Sequence, residues 1–262
     1  MKVRQSRVLS KLKAGGVVHL ASILPEPWNV DLLGQLGFDG AWVDAEHNEL
    51  NDANCSSLAM AGKAADIDVM VRIRKQGYAD YFRFLEVGCT GILVPHCDSV
   101  ADAEYAVEFA KFPPLGRRSL GGLGADCRYG MVPLPDYLAE ANSQTFIAVQ
   151  IECLAAVEAA HEIAAVEGVD VLFVGPGDLS LSLGKPGQTR HPEVVAAIRQ
   201  VAQAARNNGK HWGLPVGSIA DAQFFYDLGA RFIIYGSAKG LLIKGFKQVR
   251  QEWEKAFHQS AI

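Results

Sequence analysis

Short runs of apolar, β-favouring residues recur along the chain at regular intervals. They are "GVVHLAS" (16–22), "GAWVDAE" (40–46), "DVMVRI" (68–73), "GILVPH" (91–96), "FIAVQIE" (146–152), "VDVLFVG" (169–175), "HWGLPVG" (211–217) and "RFIIYG" (231–236), eight in all. Between them lie stretches with apolar positions at three- and four-residue spacing, the signature of a helix with one buried face. The clearest is 192–209, "PEVVAAIRQVAQAARNNG", which opens on proline, ends on glycine and aligns Val194, Ile198, Val201 and Ala205. Segments 100–112 and 219–230 repeat the pattern. Strands alternating with helices imply parallel pairing through right-handed crossovers. Eight such units in one chain predict a (β/α)8 barrel filling residues 1–262 as a single domain. A doubly wound open sheet is the competitor; it lacks the glycine-rich turn that would follow its first strand.

One connection, 113–145, is long for a compact domain and carries Arg117, Arg118 and five glycines. Such a segment is expected to serve the active site or a subunit contact. The amino-terminal stretch, with Val3, Val8, Leu9 and Leu12, fits a short amphipathic helix and has no apolar core of a signal peptide.

Composition narrows the function classes. A net charge of −4 gives no footprint for nucleic acid and no polybasic membrane patch. No apolar run reaches the roughly 18 residues of a membrane helix. The five cysteines are odd in number and scattered, with no CxxC pair, so they read as reduced thiols of a cytoplasmic protein.

Barrel enzymes work at the carboxyl ends of their strands, which makes the strand tails informative. The second run ends in Asp44, Glu46 and His47, the third in Arg72 and Arg74, the fifth in Gln150 and Glu152, and the sixth in "GPGDLS" with Asp178. Glu152 and Asp178 are 26 positions apart, about one βα unit, which places them on adjacent strand ends. Two converging carboxylates need a cation or a shared proton, and with water and substrate oxygens they form a shell suited to Mg²⁺ or Mn²⁺, with Co²⁺ or Zn²⁺ as substitutes. Asp178 alone would also serve as a helix cap. Gly175 and Gly177 let backbone N–H groups approach a carboxylate or phosphate. Arg72 can meet an oxygen that turns negative, and His47 beside Asp44 or Glu46 can act as an oriented base. This set suits enolisation of a 2-oxo acid. An imine-forming aldolase would need a desolvated lysine at a strand end, and none lies in or directly after the second, fifth or sixth run.

The runs "GFDGAWVDAEH", "MVRI", "ILVPHCDSVADAEYAVEFAKFPPLGRRSLGG", "VQIE" and "VEGVDVLFVGPGDLS" resemble the class II pyruvate aldolases of the HpcH/HpaI (4-hydroxy-2-oxoheptanedioate aldolase) family, from about Lys11 to Leu242. The resemblance implies a phosphoenolpyruvate/pyruvate-type barrel, a divalent metal, 2-oxo acid and aldehyde substrates from aromatic or sugar-acid catabolism, and a homo-hexamer built as a dimer of trimers. It matches Glu152 and Asp178 to the metal ligands, Arg72 to the arginine on the keto oxygen, and His47 to the base with Asp44 as its acidic partner. Gln150 matches a residue lining the metal site, Gly175, Pro176 and Gly177 match the carboxylate seat, and Arg118 matches an arginine of the long loop. Related lyases of CoA thioesters and a non-catalytic 2-oxo-acid-binding barrel are the alternatives. The chain departs from the family at His19, at Pro215, in "GPGDLS" for "GPADLS", and in "RIRKQGYAD". Among the other candidates, His96 falls near the rim. Cys89, Cys97 and Cys153 read as small buried residues, and His161, His191 and His258 as surface or capping positions. Trp253 and Phe257 are expected to face a neighbouring subunit.

Overall fold

A computed structural model describes residues 2–257. His258 therefore lies outside the described residues. Eight strands close a parallel barrel in sequence order: β1 (Val18–Ser22), β2 (Gly40–Asp44), β3 (Asp68–Arg72), β4 (Gly91–Val94), β5 (Phe146–Ile151), β6 (Val171–Val174), β7 (His211–Val216) and β8 (Phe232–Ser237). All eight coincide with the predicted runs. Helix α1 (Arg7–Lys13) precedes β1, and α2 (Pro27–Gln35), α3 (Asp52–Ala65), α4 (Arg83–Glu86) and α5 (Val100–Ala110) follow in turn. Then come α6 (Leu134–Gln144), α7 (Leu154–Glu158), α8 (Ala160–Ala165), α9 (Pro176–Ser182), α10 (Pro192–Asn207), α11 (Ile219–Asp227) and α12 (Ala238–Phe257).

Because strand side chains alternate with a period of two, each strand feeds two cores. Leu20, Met70, Leu93, Phe146, Ala148, Val171, Phe173, Phe232 and Ile234 fill the barrel lumen. Their neighbours, such as Val69, Val71, Ile147, Val149, Ile151 and Leu172, face the helices in a larger core. The lumen is tight: a Cβ on Gly91 would come within 2.2 Å of the Phe146 ring, so only glycine fits there. The amino end is stoppered by α1. Ser6 caps that helix by accepting from Leu9 N, and Val8, Leu9 and Leu12 continue the lumen core.

The connection expected to be one long loop over 113–145 ends in α6, an 11-residue helix with Pro133 at its N-cap and Tyr137 and Ala141 buried. Its sequence carries the usual opening, proline at the start and apolar residues at helical spacing.

Candidate active site

The period of two also builds the site. Past the last apolar lumen residues, the next lumen-facing positions are Asp44 after Trp42 on β2, Arg72 after Met70 on β3, Gln150 and then Glu152 after Ala148 on β5, and Gly175 after Phe173 on β6. Asp44 and Arg72 are register partners across β2 and β3. Their side chains form a two-pronged pair, Arg72 Nε to Asp44 Oδ1 at 2.9 Å and Nη2 to Oδ2 at 2.6 Å. Arg72 Nη1 lies 3.0 Å from Glu46 Oε2, and the guanidinium sits 5.2 Å from the Trp42 ring centroid. Burial tends to raise the Asp44 carboxyl, but the Arg72 hydrogen bonds and charge outweigh it and hold Asp44 below its ordinary 3.8. Burial likewise works against the Arg72 charge, and Asp44 and Glu46 reverse that effect and raise it.

Glu152 is buried at the mouth of the lumen. Its Oε1 accepts the backbone N–H of His96 at 2.8 Å, with His96 Nδ1 3.2 Å away, and Gln150 Nε2 donates to Oε2. Burial, helped by the negative charge of Asp178, pushes the Glu152 carboxyl above 4.5, with the His96 and Gln150 hydrogen bonds opposing. Gly175 is required here: a Cβ would stand 2.6 Å from Glu152 Oε2 and 2.9 Å from Gln150 Nε2. The Gln150 side-chain oxygen is buried without a hydrogen-bond partner among the described residues, an uncommon condition that a bound group would relieve. Asp178 lies in the first turn of α9, solvent-exposed, just past the end of β6.

The mouth thus places Asp44 and Glu46 on the Arg72 guanidinium with Glu152 and Asp178 close by, an excess of carboxylate that favours a cation. A family model described as HpcH/HpaI aldolase/citrate lyase matches residues 31–245. The chain belongs to the HpcH/HpaI aldolase/citrate lyase family. A 5-keto-4-deoxy-D-glucarate aldolase of Klebsiella pneumoniae is 34% identical over 253 residues, covering 95% of this chain and 96% of that protein. The crystal structure of an HpcH/HpaI aldolase from Desulfitobacterium hafniense superposes with a TM-score of 0.88 at 30% identity, over 94% of this chain and 95% of that one. The citrate synthase SbnG superposes with a TM-score of 0.86 at 27% identity, over 96% of this chain and 98% of that one.

Within this HpcH/HpaI barrel the expected residues are not all brought together. The His47 ring is 67% exposed and lies 3.8 Å from Glu46 Oε2. From His47, Asp44 accepts the backbone N–H alone, at 3.3 Å, its carboxylate being taken up by Arg72, Glu46 N and Asn48 Nδ2. The acidic neighbour of the His47 ring is therefore Glu46 rather than Asp44. Arg118 does not reach the mouth in its own chain. Its guanidinium is buried against the Phe112 ring and pairs with Asp126 at 2.8 Å. It lines a cavity with Thr90 and Thr145, which precede β4 and β5, at the amino end of the barrel.

His96 belongs to the site more firmly than its sequence position suggested, since its ring stands between Glu46 and Glu152. The available signal was ring order: the tail of β4 must lie between those of β3 and β5. The remaining candidates are structural. All five cysteines are free; Cys89 and Cys97 are buried, and Cys153 is half-buried and caps α7. Burial pushes Cys97 up to about 12, which keeps its thiol inert. His191 caps α10, and His161 lies exposed on α8. His19 departs from the family in β1 and is held by the Tyr235 carbonyl at 2.9 Å and the Phe38 ring.

Proposed function

We propose that the protein is a divalent-metal-dependent aldolase, a carbon–carbon lyase that reversibly cleaves a 4-hydroxy-2-oxo acid to pyruvate, or a close analogue, and an aldehyde. The observation that carries this reading is the convergence of Asp44, Arg72, Glu152 and Gln150 on one lumen mouth beside Asp178. The relatives named 5-keto-4-deoxy-D-glucarate aldolase favour a sugar-acid substrate.

The residues suit a hard cation. Glu152 and Asp178 would hold it, and the Gln150 side-chain oxygen and the close-packed Gly175 backbone adjoin Glu152. Among the described residues no cluster of three or more His, Cys, Asp or Glu side chains stands ready for a metal, so water and substrate oxygens would complete the shell. That pattern fits Mg²⁺ or Mn²⁺ better than Zn²⁺. Bound there, the ion would act as a Lewis acid toward the 2-oxo oxygen.

The chain's own groups supply the rest. The N–H groups of Arg72 left over from its carboxylate pairs stabilise the negative charge that develops on the keto oxygen. The backbone at Gly175, Pro176 and Gly177, where α9 begins, seats the substrate carboxylate. His47, at the exposed edge, takes the proton of the 4-hydroxyl as the C3–C4 bond breaks. The bond's electrons pass to the enolate while the hydroxyl carbon becomes the aldehyde. A CoA thioester is disfavoured: Arg117 is paired with Glu108, and Arg118 is buried at the other end of the barrel.

We also assign the protein to the cytoplasm, in keeping with its free thiols. It forms a homo-oligomer, a hexamer in our reading. Helix α12 buries none of its own residues, and its Leu241, Leu242, Phe246 and Val249 form, with Trp28 and Leu32 of α2 and Leu36 just after it, an apolar groove of about 510 Å³. Light scattering of the purified protein tests the oligomer.

The deciding experiment is pyruvate release from a panel of 4-hydroxy-2-oxo acids by chelator-stripped protein. Activity should vanish on stripping and return with Mg²⁺, Mn²⁺ or Co²⁺. Turnover indifferent to chelator, or none on any acid, would refute the reading.

A further inference from the structure

We infer that His96 is a positioning residue that holds Glu152 by one oxygen and so presents the other alone to a cation; the inference rests on the metal reading above. His96 follows β4 by two positions and has φ of 47°, in the left-handed region where non-glycine residues are uncommon and histidine is among the better tolerated. Such a conformation costs of order 1–3 kcal/mol and persists only where the surroundings impose it. Here Lys75 imposes it. Its Nζ donates to the His96 carbonyl at 2.5 Å and is itself fixed by Asp102 at 2.6 Å.

The strained turn aims two groups of one residue at one oxygen. The His96 backbone N–H and ring Nδ1 both address Glu152 Oε1, at 2.8 and 3.2 Å. The far ring nitrogen, Nε2, is 3.4 Å from Glu46 Oε1, and Glu46 is in turn held by Arg72. The ring therefore ties the strand that would carry the metal ligand to the strands that carry Arg72 and its carboxylates. Oε2, the other oxygen of Glu152, packs close to Gly175 and accepts from Gln150 Nε2 alone, which leaves one of its acceptor directions free. With two His96 groups on Oε1 and a single amide on Oε2, a cation meets Glu152 through Oε2 only. A one-oxygen ligand leaves more of the shell to water and to the two oxygens of a 2-oxo acid. Groups that orient a ligand in this way typically change metal affinity 10- to 100-fold when removed.

Two variants separate the ring from the turn. His96→Gly accepts the positive φ and keeps the backbone N–H while deleting the ring. His96→Asn also tolerates the turn, and its Nδ2 takes the place of Nδ1 toward Glu152 without reaching Glu46. Mn²⁺ binding to chelator-stripped protein is followed at fixed pH by the electron-spin signal of free Mn²⁺ and by water-proton relaxation of the bound ion. We expect H96G to bind Mn²⁺ about tenfold more weakly, with lowered relaxation enhancement as Oε1 joins Oε2 and displaces a water. H96N should recover most of both. A residue that only braced the turn would shift the melting temperature and leave the relaxation of bound Mn²⁺ unchanged. Wild-type affinity and relaxation in H96G would overturn the role of His96 while the metal reading stands. No Mn²⁺ binding by the wild-type chain would overturn both.

Discussion

Both ends of the barrel carry buried carboxylates, but their surroundings are opposite. At the amino end, Asp68 accepts from Arg4 Nη1 at 2.6 Å, Ser6 Oγ at 2.5 Å and Val8 N at 2.9 Å. Asp39 accepts from Arg7, Lys11 and the His19 backbone. Each acid there meets at least one full positive charge, delivered by the segment that stoppers the lumen. At the carboxyl end, Asp44 and Glu46 share Arg72, the Gln150 side-chain oxygen has no partner among the described residues, and burial leaves Glu152 reluctant to ionise. The same residue types act as fasteners where their partners are complete and as a site where they are not. Burial alone does not distinguish the two, since Asp68 and Glu152 are both almost fully enclosed.

The contrast predicts mutations that cross over. Glu152→Gln should lower pyruvate-forming kcat/KM by about a thousandfold, roughly 4 kcal/mol of barrier, and abolish Mn²⁺ binding. It should leave the melting temperature of the stripped protein equal or higher, because it removes a buried charge facing Asp178. Asp68→Ala should do the reverse. It leaves the Arg4 guanidinium only the exposed Asp66 and should cost about 3 kcal/mol in urea unfolding, with kcat/KM per folded molecule unchanged. If E152Q proves as destabilising as D68A, the division between the two ends is wrong.

Most of the fold was legible because a barrel strand covered on both faces reads as a nearly continuous apolar run, and eight of them leave few topologies. The period of two then put Asp44, Arg72, Gln150 and Glu152 over the lumen. What one chain's local pattern does not encode is which of several nearby charges pair. Asp44 looked like a partner for the adjacent His47, but the register of β2 against β3 gave it to Arg72. The place of His96 is hidden in the sequence because its partners, Glu46 and Glu152, are distant along the chain and near only through ring order. Arg118 drew attention as a basic residue in a glycine-rich loop. Its burial against Phe112 and Asp126 follows from how that loop folds back, which spacing does not report. Helix α6 is masked by the glycine-rich stretch before it, although Pro133 and Pro135 mark its start and Tyr137 and Ala141 keep helical spacing.

A smaller effect tests the exposed edge of the mouth. His47→Ala should slow aldol cleavage about a hundredfold, while Mn²⁺ and pyruvate binding, followed by equilibrium dialysis, stay near wild type, since its ring touches neither Glu152 nor Gln150. Loss of binding together with turnover would remove the proton-transfer role from His47.

The mildest test sets two carboxylates of the mouth against each other by acid. Asp44 is held below its ordinary 3.8 by Arg72, so its contribution to stability is present above 3.8 and fades only as pH falls further. Glu152 is raised above 4.5 by burial, so the folded state of the stripped protein takes up that proton before the unfolded chain does. The ionised group therefore costs stability at neutral pH, and that cost is relieved as pH falls toward 4.5. Urea midpoints of D44N and E152Q against wild type should then diverge in sign. The E152Q advantage should shrink between neutral pH and 4.5, whereas the D44N deficit should persist through that range and close only below 3.8. Parallel curves for the two variants would mean that Asp44 and Glu152 occupy equivalent environments, and the mouth would then differ from the amino end only in which residues line it.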